Sequence, residues 1–393
     1  MWREREAVHV TTSQGTLDQT SPDELPIEHE DTQFRDIERP WDPESIRVST
    51  NSFSLRNMID LIADGSLDLA PDFQRLQVWN RVQKAQLIES VLLQIPLPAF
   101  YFAEDADGML QVVDGVQRLS TINDFVTGGA NGKGGFALNG LEYLADVKGK
   151  RFDALPTVWK RRIHNTQIVA HVIAPTTPSD VMYDIFRRIN TGGTPLTGQE
   201  IRHCVSKKRS RTFLKRLVGL PEFSRATPPT LLGHKRMVDH EVALRFTAFW
   251  HLTPEQYSVD KTLDSFLLQA IRDIDDPTLL DDQALDDISV AFARGLDLAH
   301  KVFGAHAFRK WPTGNERLNP LNRALFEAWT VELAKADPSA VTKSKSHIRR
   351  SARNAMAADD SYIASISSAT GGTDAVQTRF DATRAIIVDA INR

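Results

Sequence analysis

The spacing of apolar residues changes twice along the chain and predicts three parts. Residues 1–41 show no sustained period and are rich in Glu, Asp, Thr, Ser and Pro, which predicts a mostly disordered acidic tail. Residues 42–235 mix short apolar runs with amphipathic segments, which is typical of an α+β domain. Residues 236–393 repeat the helical period almost without interruption and predict an all-α domain.

Start and stop signals place the predicted elements of the α+β part. Four polar residues precede amphipathic runs and are predicted helix N-caps: Ser54, Asn80, Ser179 and Thr197. The runs "IPLPAFYFAED" and "GMLQVVDG" predict two paired strands with a turn at Asp107-Gly108, and "QIVAHVIAP" predicts a third strand. The Gly-rich stretch 127–140 lacks the G-K-[ST] signature of a phosphate-binding P-loop, so we expect a flexible loop there.

The helical part contains five amphipathic stretches that predict helices. They are "DHEVALRFTAFWHL", "DKTLDSFLLQAIRDI", "DQALDDISVAFARGLDLAHKVFG", "NPLNRALFEAWTVELAKA" and "TDAVQTRFDATRAIIVDAINR". The stretch "SHIRRSARN" around His347 is interpreted as the basic end of a helix.

One predicted strand-to-helix corner carries an acid, an amide and a guanidinium. In "VVDGVQRLSTINDF" (112–125), Asp114 and Gly115 end an apolar run, and Gln117 and Arg118 open an amphipathic one. A structural explanation is that Asp114 caps the helix while Gly115 eases the turn. A functional explanation is an anion site, because a first-turn arginine opposes the helix dipole unless an anion lies beside the free N–H groups.

The functional explanation gives each polar group a part in nucleoside triphosphate chemistry. Arg118 supplies a planar donor for phosphate. Gln117 positions a water or an oxygen, and Asp114 holds a metal ion or accepts a proton. Two further segments, "PDFQRLQVW" and "FRRINTGGTPLTGQEIR", carry arginine and polar side chains and are candidates to converge on the same ligand.

Composition narrows the class of protein. The formal net charge is -4, so a surface for nucleic acid must be local. A single cysteine excludes an internal disulfide and a zinc site of several thiolates, and predicts a reducing, cytoplasmic compartment. The start "MWREREAVHV" has no apolar core, and no run of about 18 apolar residues occurs, so we expect neither a secretory signal nor a membrane partner.

The local basic surface is predicted in "RHCVSKKRSRTFLKR" (202–216), which has seven Lys or Arg and no acid. The predicted contacts to nucleic-acid phosphates are Arg202, Lys207, Lys208, Arg209, Arg211 and Lys215. The alternative is a solvated cationic surface without a ligand. Cys204 in this segment is interpreted as a passive small residue, since no partner His and acid can be assigned to it.

Four motifs in order resemble a known family. The motifs are P-x-F-Q-R-x-x-V-W, L-I-E-S-x-L-L-x-I-P-x-P, V-V-D-G-x-Q-R-L-x-T and F-x-R-I-N-T-G-G-T-P-L-x-x-Q-E-I-R. Together they resemble the N-terminal (GmrS-like) domain of GmrSD-type modification-dependent restriction endonucleases. The resemblance implies a ParB/sulfiredoxin-like α+β domain with a mixed small sheet, followed by an all-α helical domain. It also implies nucleotide binding and hydrolysis at the D-G-Q-Q-R motif of the family.

Carried over, that motif falls on Asp114, Gly115, Gln117 and Arg118, with Val116 where the family commonly has Gln. The departure loses a polar group and puts nucleotide selectivity or turnover in doubt. The implied catalytic residues are Asp114, Gln117 and Arg118. The implied nucleotide-binding residues are Phe73, Gln74, Arg75, Gly115, Arg188, Asn190, Thr191, Gly192 and Gly193.

The expected ligand is a nucleoside triphosphate, with Mg²⁺ as a candidate cofactor. The expected partners are DNA and a separate nuclease or effector subunit, because the histidines of the helical part lack the paired His/Asn spacing of an HNH-type nuclease. Two alternatives stay open. One is a non-catalytic DNA-binding or scaffolding module with a lapsed site, which Val116 favours, and the other is a ParB-like nuclease that uses the same cleft on DNA.

Overall fold

The fold is α+β in a computed structural model of the chain, with a small mixed sheet followed by a helical region, as the sequence predicts. The structure describes residues 27–28, 46–69, 79–105, 107–128, 135–189, 196–258 and 262–393. Most of the predicted acidic tail therefore lies outside the described residues. No helix in the described ranges is long and apolar enough to cross a membrane.

The sheet has the order β1-β5-β3-β4-β2. Its strands are β1 Val48–Ser54, β2 Leu67–Asp68, β3 Phe100–Glu104, β4 Leu110–Asp114 and β5 Gln167–Ile173. Strands β1–β5 and β3–β4 pair antiparallel, and β3–β5 and β2–β4 pair parallel. The predicted hairpin and third strand are confirmed as β3, β4 and β5. The sequence did not reveal β1, whose side chains are mostly exposed, or the two-residue β2.

Six helices surround this sheet in the α+β part that the structure describes. They are α1 Leu55–Ala63, α2 Arg81–Leu92, α3 Val116–Thr127, α4 Thr157–Asn165, α5 Ser179–Ile189 and α6 Gly198–Val205. The predicted N-caps Ser54, Asn80 and Thr197 are confirmed, and the last two form capping boxes. Ser179 is the first residue of α5 rather than the residue that precedes it.

The helical region begins earlier than the apolar period alone indicates. Its helices are α7 Lys208–Val218, α8 Pro221–Ala226, α9 Val238–His251, α10 Leu263–Asp275, α11 Asp282–Phe303, α12 Arg323–Lys335, α13 Pro338–Ala358, α14 Asp360–Ser365 and α15 Thr373–Ile391. The five predicted helices are confirmed as α9, α10, α11, α12 and α15. The interpretation of "SHIRRSARN" as a helix end is wrong, because His347 lies inside α13.

Two large apolar cores lie on either side of a smaller cluster. The first packs α1 to α4 against one face of the sheet, around Phe100, Phe102 and Val112. The second fills the helical region. The smaller cluster joins Val113 of the opposite sheet face to Phe186 of α5. Strand β4 is therefore packed on both faces, and this packing holds its C-terminal end in position.

Ile27 and Glu28 are held against the helical region. Ile27 forms a β-bridge with Leu321, and the Glu28 N–H donates to the Leu321 carbonyl at 2.9 Å. The Glu28 carboxylate accepts from Nδ2 of Asn322 at 2.9 Å and pairs with Lys310. These two residues of the predicted tail thus contact the helical region.

Glu89 anchors the loop that follows the Gly-rich stretch. Its two carboxylate oxygens accept hydrogen bonds from the backbone N–H groups of Glu142, Tyr143 and Leu144 at 2.8–2.9 Å. Burial alone would raise the pKa of Glu89, but these three donors outweigh it and lower the pKa below its usual value. The carboxylate therefore has to be ionised to hold the loop.

We expect Glu89→Gln to lower the free energy of unfolding at pH 7 by about 1–3 kcal/mol, because backbone donors lose their charged acceptor. The folded pKa is depressed, so the contribution of Glu89 is present above about pH 5 and is lost as the pH falls. Urea unfolding of both proteins at pH 7 and pH 3 should show a difference that shrinks in acid. Glu142→Gln is the control, since its exposed carboxylate bonds only the Gln86 amide in the described contacts. Equal stability of Glu89→Gln and wild type at pH 7 would contradict this role.

Candidate functional site

The corner between β4 and α3 is built around a glycine with positive φ. Gly115 is the N-cap of α3, with φ 102° and ψ 5°. A Cβ at this position would overlap the ring of Phe100 on the neighbouring strand. Both the backbone conformation and the close approach therefore require glycine. The prediction that Asp114 caps the helix is wrong, because Asp114 is the last residue of β4 and the N-cap of α3 is Gly115.

Arg118 is enclosed by the protein rather than turned into solvent. Its Nη1 donates to the Pro98 carbonyl, and its Nη2 donates to the Ala99 carbonyl at 3.2 Å and to Asp114 Oδ2 at 2.9 Å. The guanidinium carbon lies 4.2 Å from the ring centroid of Phe100, and the side chain is 12% exposed. Burial lowers the pKa of Arg118, while Asp114 opposes that shift.

These contacts define what Arg118 does at the corner. Three of the five N–H donors of its guanidinium are committed to protein acceptors. The plane of the group is fixed by two carbonyls and a ring, so it holds the Asp114 carboxylate in one orientation. The Asp114 side chain remains 37% exposed at the mouth of the corner. Arg118 is thus a positioning residue, and Asp114 is the charged group that a ligand can reach.

A strip of polar side chains continues from the corner along α3. Gln117 lies in the first turn, and Ser120 and Thr121 follow three and four positions later, on the same helix face. Ser120 and Thr121 are buried, and their hydroxyls have no hydrogen-bond partner in the described part of the chain. Buried hydroxyls in this state are suited to a bound ligand or water. No role was predicted for either hydroxyl, although Thr121 is the last residue of the V-V-D-G-x-Q-R-L-x-T motif.

The other predicted nucleotide-binding segments are only partly placed. Seven of the predicted residues lie outside the described residues: Phe73, Gln74, Arg75, Asn190, Thr191, Gly192 and Gly193. Arg188 is exposed in the last turn of α5. The structure therefore brings together Asp114, Gly115, Gln117 and Arg118, which are also neighbours in sequence.

Strand β2 lies beside the strand that ends at the corner. It lies parallel to β4, with Asp68 level with Gln111. The chain thus leaves β2 toward the end of the sheet where Asp114 stands, and the F-Q-R motif begins five residues after Asp68.

The residues of the predicted basic surface are partly buried and partly exposed in the structure. Arg202 is buried and bonds Gln199 and Asp264, so it is not part of the surface. Arg209 bonds two carbonyls and Asp282. The Nη1 of Arg211 lies 2.9 Å from the Gln111 side-chain amide, whose oxygen accepts from it when the amide is turned over. The exposed members of the predicted set are Lys207, Lys208 and Lys215.

The chemistry of Cys204 agrees with a passive role. The side chain is buried, and burial raises the pKa of its thiol to about 12. The thiol is therefore protonated at neutral pH and is a poor nucleophile. Within the described ranges, no group of three or more His, Cys, Asp or Glu side chains is arranged to hold a metal ion.

Comparison with known families identifies the part of the chain that contains this corner. Residues 55–205 match the family model described as GmrSD restriction endonuclease, N-terminal domain. The chain carries a GmrSD-type N-terminal domain. The matched span runs from the first residue of α1 to the last residue of α6 and includes the whole corner. None of the curated proteins and none of the solved structures compared with the chain matches it.

The resemblance that the four motifs indicate is thus confirmed for the GmrSD-type domain. The family description is that of a restriction enzyme, so this domain belongs to restriction-type defence proteins. The helical region, from α7 to α15, lies beyond the matched span.

Proposed function

We propose that the GmrSD-type domain binds a nucleoside triphosphate at the β4–α3 corner and hydrolyses it, within a protein of the DNA restriction type. The observation that carries this proposal is the Arg118–Asp114 pair, which fixes an accessible carboxylate beside a helix start whose N-cap is a glycine. The family match supports it, because the matched span contains the D-G-x-Q-R residues.

The chemistry follows from the groups at the corner. The N-cap of α3 is a glycine, which has no side chain to compete for the helix start, so phosphate oxygens can approach the first turn. Gln117, in the first turn, would orient the attacking water. Ser120 and Thr121 can satisfy their hydroxyls on the ligand or on water bound with it. Catalysis would then rest on positioning and on charge stabilisation.

Mg²⁺ fits this set of donors. A single exposed carboxylate together with phosphate oxygens is a common way for proteins to bind Mg²⁺. Asp114 is such a carboxylate, and its neighbour Arg118 keeps it oriented. When bound, the ion would neutralise phosphate charge that Asp114 would otherwise repel.

DNA enters the proposal through the family description. A restriction endonuclease acts on DNA, so we propose that the chain acts on or senses DNA and that triphosphate binding regulates this step. Cleavage would then be carried out by a separate nuclease or effector subunit, or by a weak activity of this chain.

A second candidate is a non-catalytic module that keeps the corner only for its fold. It is favoured by the commitment of three Arg118 donors to protein acceptors and by Val116 in place of the family's Gln. In that case Arg118 would tie β4, α3 and the segment before β3 together, and triphosphate would have no effect on stability.

Triphosphate is expected to raise the melting temperature of the wild type and to be hydrolysed. Arg118→Ala should abolish both effects, because Asp114 loses its orientation and the corner loses its positive charge. Asp114→Asn keeps the shape of the side chain but not its charge, so phosphate release should fall by roughly 100-fold or more. Thermal melts with each of the four ribonucleoside triphosphates and Mg²⁺, together with phosphate release, measure both effects.

Asp124→Asn is the matched control, since it removes a carboxylate from the same helix at a place where it pairs only with Lys84 in the described contacts. It should behave as the wild type in both assays. Melts without nucleotide show whether a variant has lost its fold. A wild type that is neither stabilised by any triphosphate nor able to release phosphate would refute the proposal and leave the second candidate.

A further inference from the structure

Helix α13 carries an unusual excess of positive charge. Its residues include Lys343, Lys345, Arg349, Arg350 and Arg353 and no acid. One face of the helix is apolar and buried in the helical core, through Val341, Ile348, Ala352 and Met356. The opposite face is exposed, and Lys343 and Arg350 lie on it. The apolar face is thus already used, and the cations remain for another role.

A groove of about 550 Å³ lies between α13 and the loop that follows Trp311. It is lined by hydroxyl, amide and guanidinium groups, from Thr313, Gly314, Glu316, Ser346, Arg349, Arg350, Arg353 and Asn354. These are the side-chain types that bind phosphate oxygens most often. The lining contains one acid, Glu316, which pairs with Arg353. Arg349 and Arg350 therefore leave the groove positive.

Two of the arginines are held in place by the protein. Arg353 donates to Glu316 and lies 4.3 Å from the ring centroid of Trp311. Arg349 uses its Nε to bond the Val302 carbonyl at 2.6 Å, which orients the rest of its guanidinium. Guanidinium groups fixed in this way lose little side-chain entropy when they bind an anion.

The loop opposite α13 is also fixed. The Thr313 N–H donates to the Arg353 carbonyl at 3.1 Å, and the Thr313 hydroxyl donates to Oδ1 of Asn354 at 2.8 Å. The two walls of the groove are therefore joined to each other, and its width is set in the folded protein.

The predicted basic segment (202–216) differs from α13 in that acidic side chains compensate part of its charge. Arg209 and Arg216 of α7 pair with Asp282 and Asp286 of α11, so their charge is compensated. No such acid faces Lys343 or Arg350 in the salt bridges of the described residues. Lys343 and Arg350 of α13 thus remain available to an anionic partner.

We infer that the α13 groove binds the sugar–phosphate backbone of double-stranded DNA without reading its sequence. From Lys343 to Arg353 the helix rises about 15 Å, which spans several phosphates rather than one. A membrane surface is disfavoured because the apolar face of α13 is buried in the core. The choice of DNA over RNA rests on the restriction-type domain in the same chain.

The test is the affinity of the full chain for a fluorescent DNA duplex, measured by anisotropy at several salt concentrations without nucleotide. Arg350→Ala should weaken binding about tenfold, as expected for loss of a charged hydrogen bond. It should also reduce the slope of log K against log salt by about 0.9, the value for one phosphate contact. Arg350→Glu should weaken binding further.

Arg294→Ala and Arg294→Glu are the matched controls, because Arg294 is an exposed arginine of α11 that does not line the groove. They should bind DNA within about twofold of the wild type. Wild-type affinity in Arg350→Glu, or an equal loss in Arg294→Glu, would overturn the site. An RNA duplex that binds as tightly as DNA would overturn the assignment of the ligand. Since no nucleotide is present, these outcomes do not depend on the corner at Asp114.

Discussion

Glu327→Gln is expected to lower the free energy of unfolding by about 3–5 kcal/mol, because it leaves two buried guanidinium groups without their shared counter-charge. Glu327 lies in α12, and its side chain is 0% exposed. It accepts from Arg245 of α9 at 3.2 Å and from Arg379 of α15 at 2.9 Å. The carboxylate thus joins three helices at the centre of the helical core. A loss of this size is a large share of the stability of an ordinary domain.

The other partners of these arginines explain why the loss of the Glu327 charge is costly. Arg379 also donates to the Thr370 carbonyl at 2.6 Å, and Arg245 bonds Glu241 twice, at 2.8 and 3.0 Å. Burial by itself would raise the pKa of Glu241, but Arg323 and Arg245 outweigh it and bring the pKa to about 2. The guanidinium groups therefore have fixed positions and cannot turn to solvent when one acid is neutralised.

Thermal unfolding measures the effect, which should be of the order of 10 °C in melting temperature. Asp381→Asn is the control, since its carboxylate is 66% exposed and pairs with Arg384 on the surface of the same helix as Arg379. It should change stability by less than about 1 kcal/mol. Because the pKa of Glu241 is lowered, its contribution is present above about pH 5 and is lost as the pH falls toward 2. A Glu327→Gln protein that melts with the wild type would contradict this account of the core.

Gly115→Ala is expected to destabilise the GmrSD-type domain by about 2–4 kcal/mol and to displace the corner. Two costs combine: an alanine at φ 102° is strained, and its Cβ overlaps the Phe100 ring. The ring cannot withdraw easily, because it is buried beneath the guanidinium of Arg118. The contact between Arg118 and Asp114 would therefore shift with it.

Gly108→Ala separates the two costs. Gly108 also has a positive φ, 80°, but nothing lies within 4 Å of a Cβ placed there. The free energy of unfolding of Gly108→Ala should fall by only about 1 kcal/mol, which is the effect of backbone strain alone. Adding Phe100→Leu to Gly115→Ala should recover part of the loss by making room for the methyl group. Equal melting temperatures for Gly115→Ala and Gly108→Ala would show that the approach to Phe100 does not matter.

Local signals in the sequence predicted much of the α+β domain. The caps Ser54, Asn80 and Thr197 act on N–H groups two or three residues away, so the sequence contains nearly all the information needed to find them. The β3–β4 hairpin depends on a short turn and was predicted for the same reason. The edge strand β1 was missed because it has little apolar alternation and gains its partners only from β5.

Contacts between distant residues could not be predicted. Arg118 was expected to lie open to phosphate, but its acceptors Pro98 and Ala99 are about twenty residues away and belong to the segment before β3. Arg202 was expected on a basic surface, but it is buried and hydrogen-bonds Asp264, which lies sixty-two positions later in the chain. Composition assigns a guanidinium to the surface, and only the fold shows which acid pairs with it.

The most direct test of the central claim is a crystal structure of the chain with a non-hydrolysable triphosphate analogue and Mg²⁺. We expect phosphate oxygens within about 3 Å of the first N–H groups of α3, with Asp114 next to the ion and Arg118 still bonded to Asp114. An analogue bound elsewhere, or an empty corner at a saturating analogue concentration, would contradict the proposed nucleotide site.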